Sequence, residues 1–218
     1  MNKRHRIFLV EDHPIFRQGL TQVLTLEPDL AVCGNADSAT QAKQGIAGCR
    51  PDLVLVDVSL ADGDGIELVK DLKALYPKLP LLVLSMHDEV LYAERALRAG
   101  ALGYVMKRAS TGEVLRAIRL ALAGEIYVSA DIKNRLVERR LTGHWMPASL
   151  MDSLTDRELE VYRLSGEGLT TTQIARHLKI SPSTVDSHRA HIKEKLGLKS
   201  WAEFIRHAGQ WVNQHAPR

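Results

Sequence analysis

The sequence predicts a doubly wound α/β domain of (βα)5 type followed by a small all-α domain of four helices, and three observations carry that prediction. Within the first 124 residues, five short apolar runs lack polar alternation, as strands do when helices cover both faces of a parallel sheet. Longer segments with a helical period separate those runs, giving five β-α units in succession. From residue 125 onward no strand-like period appears, and helix-start signals follow one another at short spacing.

The strands are expected at 7–10, 30–33, 53–56, 81–84 and 102–106, with helices near 14–26, 38–47, 65–75, 89–98 and 112–122. Residues 131–141 read as a further helix, and the turn-forming residues of 142–149 as a linker. Three later helix starts carry a capping box, in which a side-chain oxygen and a Glu or Gln three residues on satisfy free backbone N–H groups. They are Thr155 with Glu158, Thr170 with Gln173, and Ser200 with Glu203. A fourth start, Ser181-Pro182, places a cap and then proline at the first helical position. The expected organisation is a first domain over 1–124, a linker with a helix over 125–151, and a helical domain over 152–213.

The chain has 218 residues, 45% hydrophobic and 25% charged, which excludes collagen-like, fibrous and disordered classes. No apolar run approaches the ~18 residues of a membrane helix, and the polar start has no secretory signal, so no membrane partner is expected. Cys33 and Cys49 show neither metal-ligand spacing nor a disulfide framework, so a reducing, cytoplasmic compartment is expected. The net charge of +3 is unevenly spread: residues 1–124 are neutral, 151–168 carry −3 and 169–218 carry +5. A basic end on a neutral body is a weak nucleic-acid signal, which a solvated tail would share.

In an open α/β sheet, ligands bind beyond the carboxyl ends of the strands. There the runs end on Glu11-Asp12, Asp57, Ser85 and Lys107, bringing three carboxylates, a hydroxyl and an ammonium to one edge. Clustered carboxylates raise one another's pKa unless a cation sits among them, and a hard cation such as Mg²⁺ removes the repulsion. An Asp carboxylate is also a nucleophile for phosphoryl groups. Such transfer requires positioning and positive charge, with Lys107 and Mg²⁺ as sources of charge and Ser85 as a hydrogen-bond donor.

Residues 6–124 resemble the receiver domain of bacterial two-component response regulators, matching its acidic pair, acceptor Asp, Ser/Thr and Lys. The resemblance implies a flavodoxin-like fold with Asp57 as phosphoacceptor. It also implies Mg²⁺ bound directly by Asp12 and Asp57, through water by Glu11, and by the backbone carbonyl of Ser59. Tyr104 falls where the family carries an aromatic that turns inward with Ser85 on phosphorylation; simple edge-strand packing is the competing reading. The chain departs from the family pattern at Leu60-Ala61, where Met-Pro is common, and at Arg108, where Pro is usual. Met86 and His87 are expected to line the site's mouth.

Residues 152–213 contain Leu154-Thr155-Asp156-Arg157-Glu158-Leu159-Glu160-Val161, Gln173-Ile174-Ala175, Ser181 to Arg189, and Lys195-Leu196-Gly197-Leu198. This resembles the LuxR-type helix-turn-helix, and with the receiver it resembles the NarL/FixJ subfamily. The recognition helix is expected over 182–196, with Val185, Ile192 and Leu196 inward. Ser183, Thr184, Asp186, Ser187, Arg189, Ala190 and Lys193 are expected outward. His188, Arg189 and Lys193 are candidates for DNA contact, and Thr170, Thr171 and Thr172 for phosphate anchoring at the preceding helix start. Lys195 and Lys199 read mainly as solvated. Asp186 stands where the family commonly carries Lys or Arg. Two readings stay open: it favours the helix dipole and contacts nothing, or it accepts from a cytosine N4 amino group.

The function expected is a response regulator phosphorylated at Asp57 by a sensor histidine kinase or small acyl phosphate. Phosphorylation would promote homodimerisation and binding to double-stranded promoter DNA; catalysis is confined to its own phosphorylation and dephosphorylation. Ala202, Ile205 and Trp211 of the last helix are candidates for either an interface or the core. Two rivals are a constitutive regulator with a vestigial receiver and a small-molecule enzyme or sensor on a flavodoxin-like domain. The second lacks a Gly-rich loop at Glu11-Asp12-His13-Pro14.

Overall fold

All five apolar runs become strands of one parallel sheet in the computed structural model, which describes residues 4–60, 62–86, 89–130, 132–134, 150–178 and 180–215. The chain divides into two compact units, Met1–Trp145 and Met146–Arg218. In the first, β1 (His5–Val10), β2 (Leu30–Ala36), β3 (Leu53–Asp57), β6 (Leu81–Ser85) and β7 (Gly103–Met106) lie in the order β2-β1-β3-β6-β7. Between them run α1 (Pro14–Leu26), α2 (Ala39–Cys49), α3 (Gly65–Leu75) and α4 (Glu89–Ala99), and α5 (Thr111–Leu122) follows β7. Ile7, Leu9, Leu53, Leu55, Leu82 and Leu84 form one core with Leu24, Ile118 and Ala121. The alternate residues Phe8, Val54, Val56 and Val83 are equally buried, so both faces are covered along the central strands.

Four features of this unit have no counterpart in the apolar pattern. Ser59–Leu60 and Gly63–Asp64 form a two-residue antiparallel pair, β4 and β5, just past Asp57. From that loop, Asp62 accepts hydrogen bonds from the N–H groups of Ala39 (2.7 Å) and Thr40 (3.2 Å), capping α2 where Ser38 makes no side-chain cap. Gly65 then begins α3 so close to β3 that a Cβ would sit 1.9 Å from the Asp57 carbonyl oxygen, a position only glycine fits. The fourth lies beyond α5, outside the expected strands. Tyr127 pairs with the free edge of β7 through Tyr104 N–H to Tyr127 O (3.1 Å) and Tyr127 N–H to Leu102 O (2.8 Å). Of the expected helix over 131–141 and linker over 142–149, only Ile132, Lys133 and Asn134 lie within the described residues.

The second unit opens with a 3-10 turn, Leu150–Ser153, followed by α6 (Asp156–Gly166), α7 (Thr171–Leu178), α8 (Pro182–Lys195) and α9 (Trp201–His215). The capping boxes at Thr155/Glu158 and Thr170/Gln173 are both reciprocal. At Ser200 only half forms: its hydroxyl accepts from Glu203 N–H at 3.1 Å, while Glu203 reaches back to Lys199 N–H at 2.8 Å. Ser181 caps α8 by accepting from Thr184 N–H at 3.1 Å. Val185, Ile192 and Leu196 point inward as expected, joining Leu159, Tyr162, Ile174, Phe204 and Ala208. Tyr162 meets Phe204 edge-on at 5.6 Å and hydrogen-bonds His207. Among the described side chains of α9 the buried positions are Phe204 and Ala208; Ala202 is exposed, with Ile205 and Trp211 half-buried. Among the described residues no helix is long and apolar enough to cross a membrane.

Lys195, expected to be solvated, pairs with Glu158 at 2.6 Å. Burial pushes the Glu158 carboxyl up, but Lys195 and the Thr155 N–H and hydroxyl outweigh it, leaving the carboxyl below its usual range. A depressed folded pKa contributes stability that is complete above the unfolded value of about 4.3 and is lost as pH falls through the folded value. The melting temperature of this unit, followed by the fluorescence of Trp201 and Trp211, will therefore fall on acidification below that point. Glu158→Gln will flatten the fall, and an unchanged acid limb in that variant contradicts the assignment.

Candidate functional site

Three parallel strands and the loop after β7 deliver the first cluster. Glu11 follows β1, Asp57 ends β3, Ser85 ends β6, and Lys107 follows β7, held there by its N–H to Ser85 O at 2.8 Å. Lys107 Nζ lies 2.7 Å from Glu11 Oε2 and 2.8 Å from Asp57 Oδ2, with all three side chains at least 96% buried. Its ammonium also sits 4.7 Å above the Phe16 ring. Arg17 donates to the Glu11 carbonyl, and His13 N–H to Glu11 Oε1 at 3.0 Å. Burial pushes the Asp57 carboxyl up to about 7; the Lys107 ammonium opposes this and the Glu11 charge adds to it. The Ser59 backbone N–H hydrogen-bonds the same carboxylate.

One ligand atom from each of Glu11, Asp12, His13 and Asp57 lies within 4.8 Å of the others. Asp12 Oδ1 is buried and accepts no well-aligned hydrogen bond, although His13 Nδ1 stands 2.6 Å away. Three carboxylates against one internal ammonium leave negative charge in a largely buried pocket, and the carboxylate oxygens of Glu11, Asp12 and Asp57 suit a hard divalent cation, with the His13 ring nitrogen beside them. The residues present thus fit Mg²⁺. Tyr104 is fully buried on β7, as is Ser85 at the end of β6. Met86 is exposed just past β6, and His87 lies outside the described residues.

The second cluster is the exposed side of α7 and α8. Thr170 and Thr172 are exposed and Thr171 half-buried at the α7 start; Ser183, Thr184, Asp186 and Ser187 are exposed on α8, with Lys193 half-buried. The Ser181 hydroxyl lies 2.7 Å from Ser183 Oγ and 2.8 Å from Thr184 Oγ1, so these two are partly engaged in the cap. His188 is half-buried, and burial, then the Arg157 charge, lowers its pKa.

Arg189 corrects the expected outward set. Its side chain is 92% buried, with Nε donating to Ser165 Oγ at 3.2 Å, Nη1 to Thr171, and the guanidinium 4.5 Å from the Trp201 ring centre. The physical reason is helical spacing: Arg189 stands four residues past Val185 and three before Ile192, on the inward stripe itself. Asp186 remains two-thirds exposed, with Oδ1 3.5 Å from the Thr171 hydroxyl and 3.7 Å from Arg189 Nη1.

A buried acidic pocket at the carboxyl edge of a doubly wound parallel sheet, in a chain that continues into a helix-turn-helix, is the arrangement of a response regulator with a DNA-binding output. Residues 7–119 match the model of the response regulator receiver domain, and residues 152–208 that of the bacterial regulatory proteins of the luxR family. The chain belongs to this family, the NarL/FixJ type of response regulator. It is 36% identical over 201 residues to the transcriptional regulatory protein UhpA of Escherichia coli (strain K12), covering 92% of this chain and 95% of that one. It is 33% identical over 208 residues to the oxygen regulatory protein NreC of Staphylococcus aureus (strain JH9), covering 93% and 96%. The structure of RcsB from Salmonella enterica serovar Typhimurium, bound to promoter rprA in the presence of phosphomimetic BeF3−, matches with a TM-score of 0.58. It is 25% identical, over 95% of this chain and 99% of that one.

Proposed function

We propose that phosphoryl transfer to Asp57 from a sensor histidine kinase or a small acyl phosphate switches the second unit to tight binding of promoter DNA as a homodimer, in the cytoplasm. The observation that carries this reading is Lys107 Nζ, buried and shared between Glu11 and Asp57 at the carboxyl edge of the sheet. Asp12, Asp57, the Ser59 carbonyl and, through water, Glu11 would hold Mg²⁺, which supplies positive charge to the phosphoryl oxygens. An Asp57 carboxylate oxygen forms the new bond to phosphorus as the donor's bond breaks, and the proton requirement falls on the leaving group. Lys107 and the Ser85 hydroxyl stabilise the charge that builds on the equatorial oxygens. Ser85 and Tyr104 repack around the bound phosphoryl group, and this change in surface favours dimerisation.

On the output unit, Lys193, His188, Ser183, Thr184 and Ser187 contact DNA from α8, with Thr170, Thr171 and Thr172 meeting phosphate at the α7 start. Thr171 combines this with its bond to Arg189. Asp186, the one carboxylate on α8's first two turns, accepts from a cytosine N4 amino group. Incubating the full chain with a small acyl phosphate and Mg²⁺ will give a base-labile phosphoprotein whose label maps to Asp57, and a chelator will abolish it. Label on another residue, or none, overturns the reading.

A further inference from the structure

Cys33 and Cys49 are the chain's two cysteines, and their separation in sequence suggests no shared role. The fold brings them together. β2 slips by one residue against β1 between Val32 and Gly34, so Cys33 is the extra residue of a β-bulge. Cys49 is the last residue of α2, where the left-handed Arg50 turns the chain away. Its thiol donates to the Cys33 carbonyl at 3.1 Å, and its sulfur would stand 2.9 Å from a Cβ at Gly34. The thiols also sense one another. Burial, then the neighbouring Cys49, pushes the Cys33 thiol up, while a hydrogen bond from Arg6 on β1 draws it down. Both cysteines are half-buried and free, so a small reagent has access to each.

We propose that Cys33 and Cys49 form a dithiol site that closes to an intramolecular disulfide by exchange with a low-molecular-weight disulfide such as oxidised glutathione. One thiolate of the pair attacks the glutathione disulfide, forming a mixed disulfide and releasing one glutathione thiolate. The second cysteine attacks the protein sulfur of that mixed disulfide, the Cys33–Cys49 bond forms, and the second glutathione leaves. Two electrons pass from the pair to glutathione disulfide, and the two thiol protons go to the departing thiolates. Burial holds the Cys33 thiol up and the Arg6 guanidinium offsets this in part, so exchange is favoured at mildly alkaline pH, and the Cys49 thiol stands 3.1 Å from the Cys33 carbonyl at the bulge. The bond ties the edge strand β2 to α2. Asp57 stands on β3, with β1 between, so the site acts independently of the phosphoryl reading.

The test uses the reduced full chain, incubated with oxidised glutathione at mildly alkaline pH; remaining thiols are then alkylated and the digest is read by mass spectrometry. The expected product is one pair of linked peptides carrying Cys33 and Cys49, with no alkylated cysteine and a raised melting temperature, both reversed by reductant. Cys33→Ser and Cys49→Ser will each stop at a single glutathione adduct. Persistent adducts on the unsubstituted chain, two alkylated thiols, or a disulfide between two chains overturns the proposal.

Discussion

Asp57→Asn will take up no phosphate from a small acyl phosphate with Mg²⁺, and its affinity for DNA will not change when the donor is added. The amide has nearly the shape of the carboxylate but no nucleophilic oxygen anion, so the bond to phosphorus cannot form. The same change reduces the charge facing Lys107 while leaving its partner Glu11 at 2.7 Å, so the pocket keeps one of its two ion pairs. Folding is therefore expected to survive, which a thermal melt checks, and the loss is confined to the switch. A phosphorylated Asp57→Asn chain, or one whose DNA affinity still responds to the donor, contradicts the assignment.

The second large effect is structural. Arg189→Ala removes a buried guanidinium that donates to Ser165 and Thr171 and covers the Trp201 ring, tying α8 to α6, to the α7 start and to α9. Losing hydrogen bonds from a buried charged group, with the packing of its stem, costs about 3 kcal/mol. The unit's melting temperature will fall by about 10 °C or more on the scaling for a domain of this size. Lys193→Ala provides the contrast: unchanged melting, weaker DNA binding, and a salt slope smaller by about one. Should Arg189→Ala melt normally and lose DNA affinity outright, the guanidinium is a DNA contact rather than a tie between helices.

Arg189 also shows what the sequence conceals. A residue's charge argues for the outside, whereas its spacing from Val185 and Ile192 argues for the inside, and burial follows the spacing once Ser165, Thr171 and Trp201 supply partners. Those partners lie on three other segments, so no local pattern announces them. Asp62 behaves likewise, capping a helix that begins 23 residues earlier. Cys33 and Cys49 meet at a one-residue slip in β2, which hydropathy cannot register. The acid cluster was legible for the opposite reason. In a parallel sheet every strand ends at the same edge, so locating the apolar runs also locates Glu11, Asp57, Ser85 and Lys107 relative to one another. What the runs leave undetermined is that Lys107 bridges Glu11 and Asp57, since that depends on side-chain reach across the sheet edge.

A phosphoryl group at Asp57 is expected to raise the chain's affinity for DNA. Its most direct measurement is the dissociation constant of the full chain on a DNA fragment selected by the protein from a random pool, taken with and without the phosphodonor at fixed salt and Mg²⁺. A gain of about tenfold or more is expected on phosphorylation, corresponding to a coupling of about 1.4 kcal/mol, with no gain in Asp57→Asn. Equal affinity of the phosphorylated and unphosphorylated chains would contradict it.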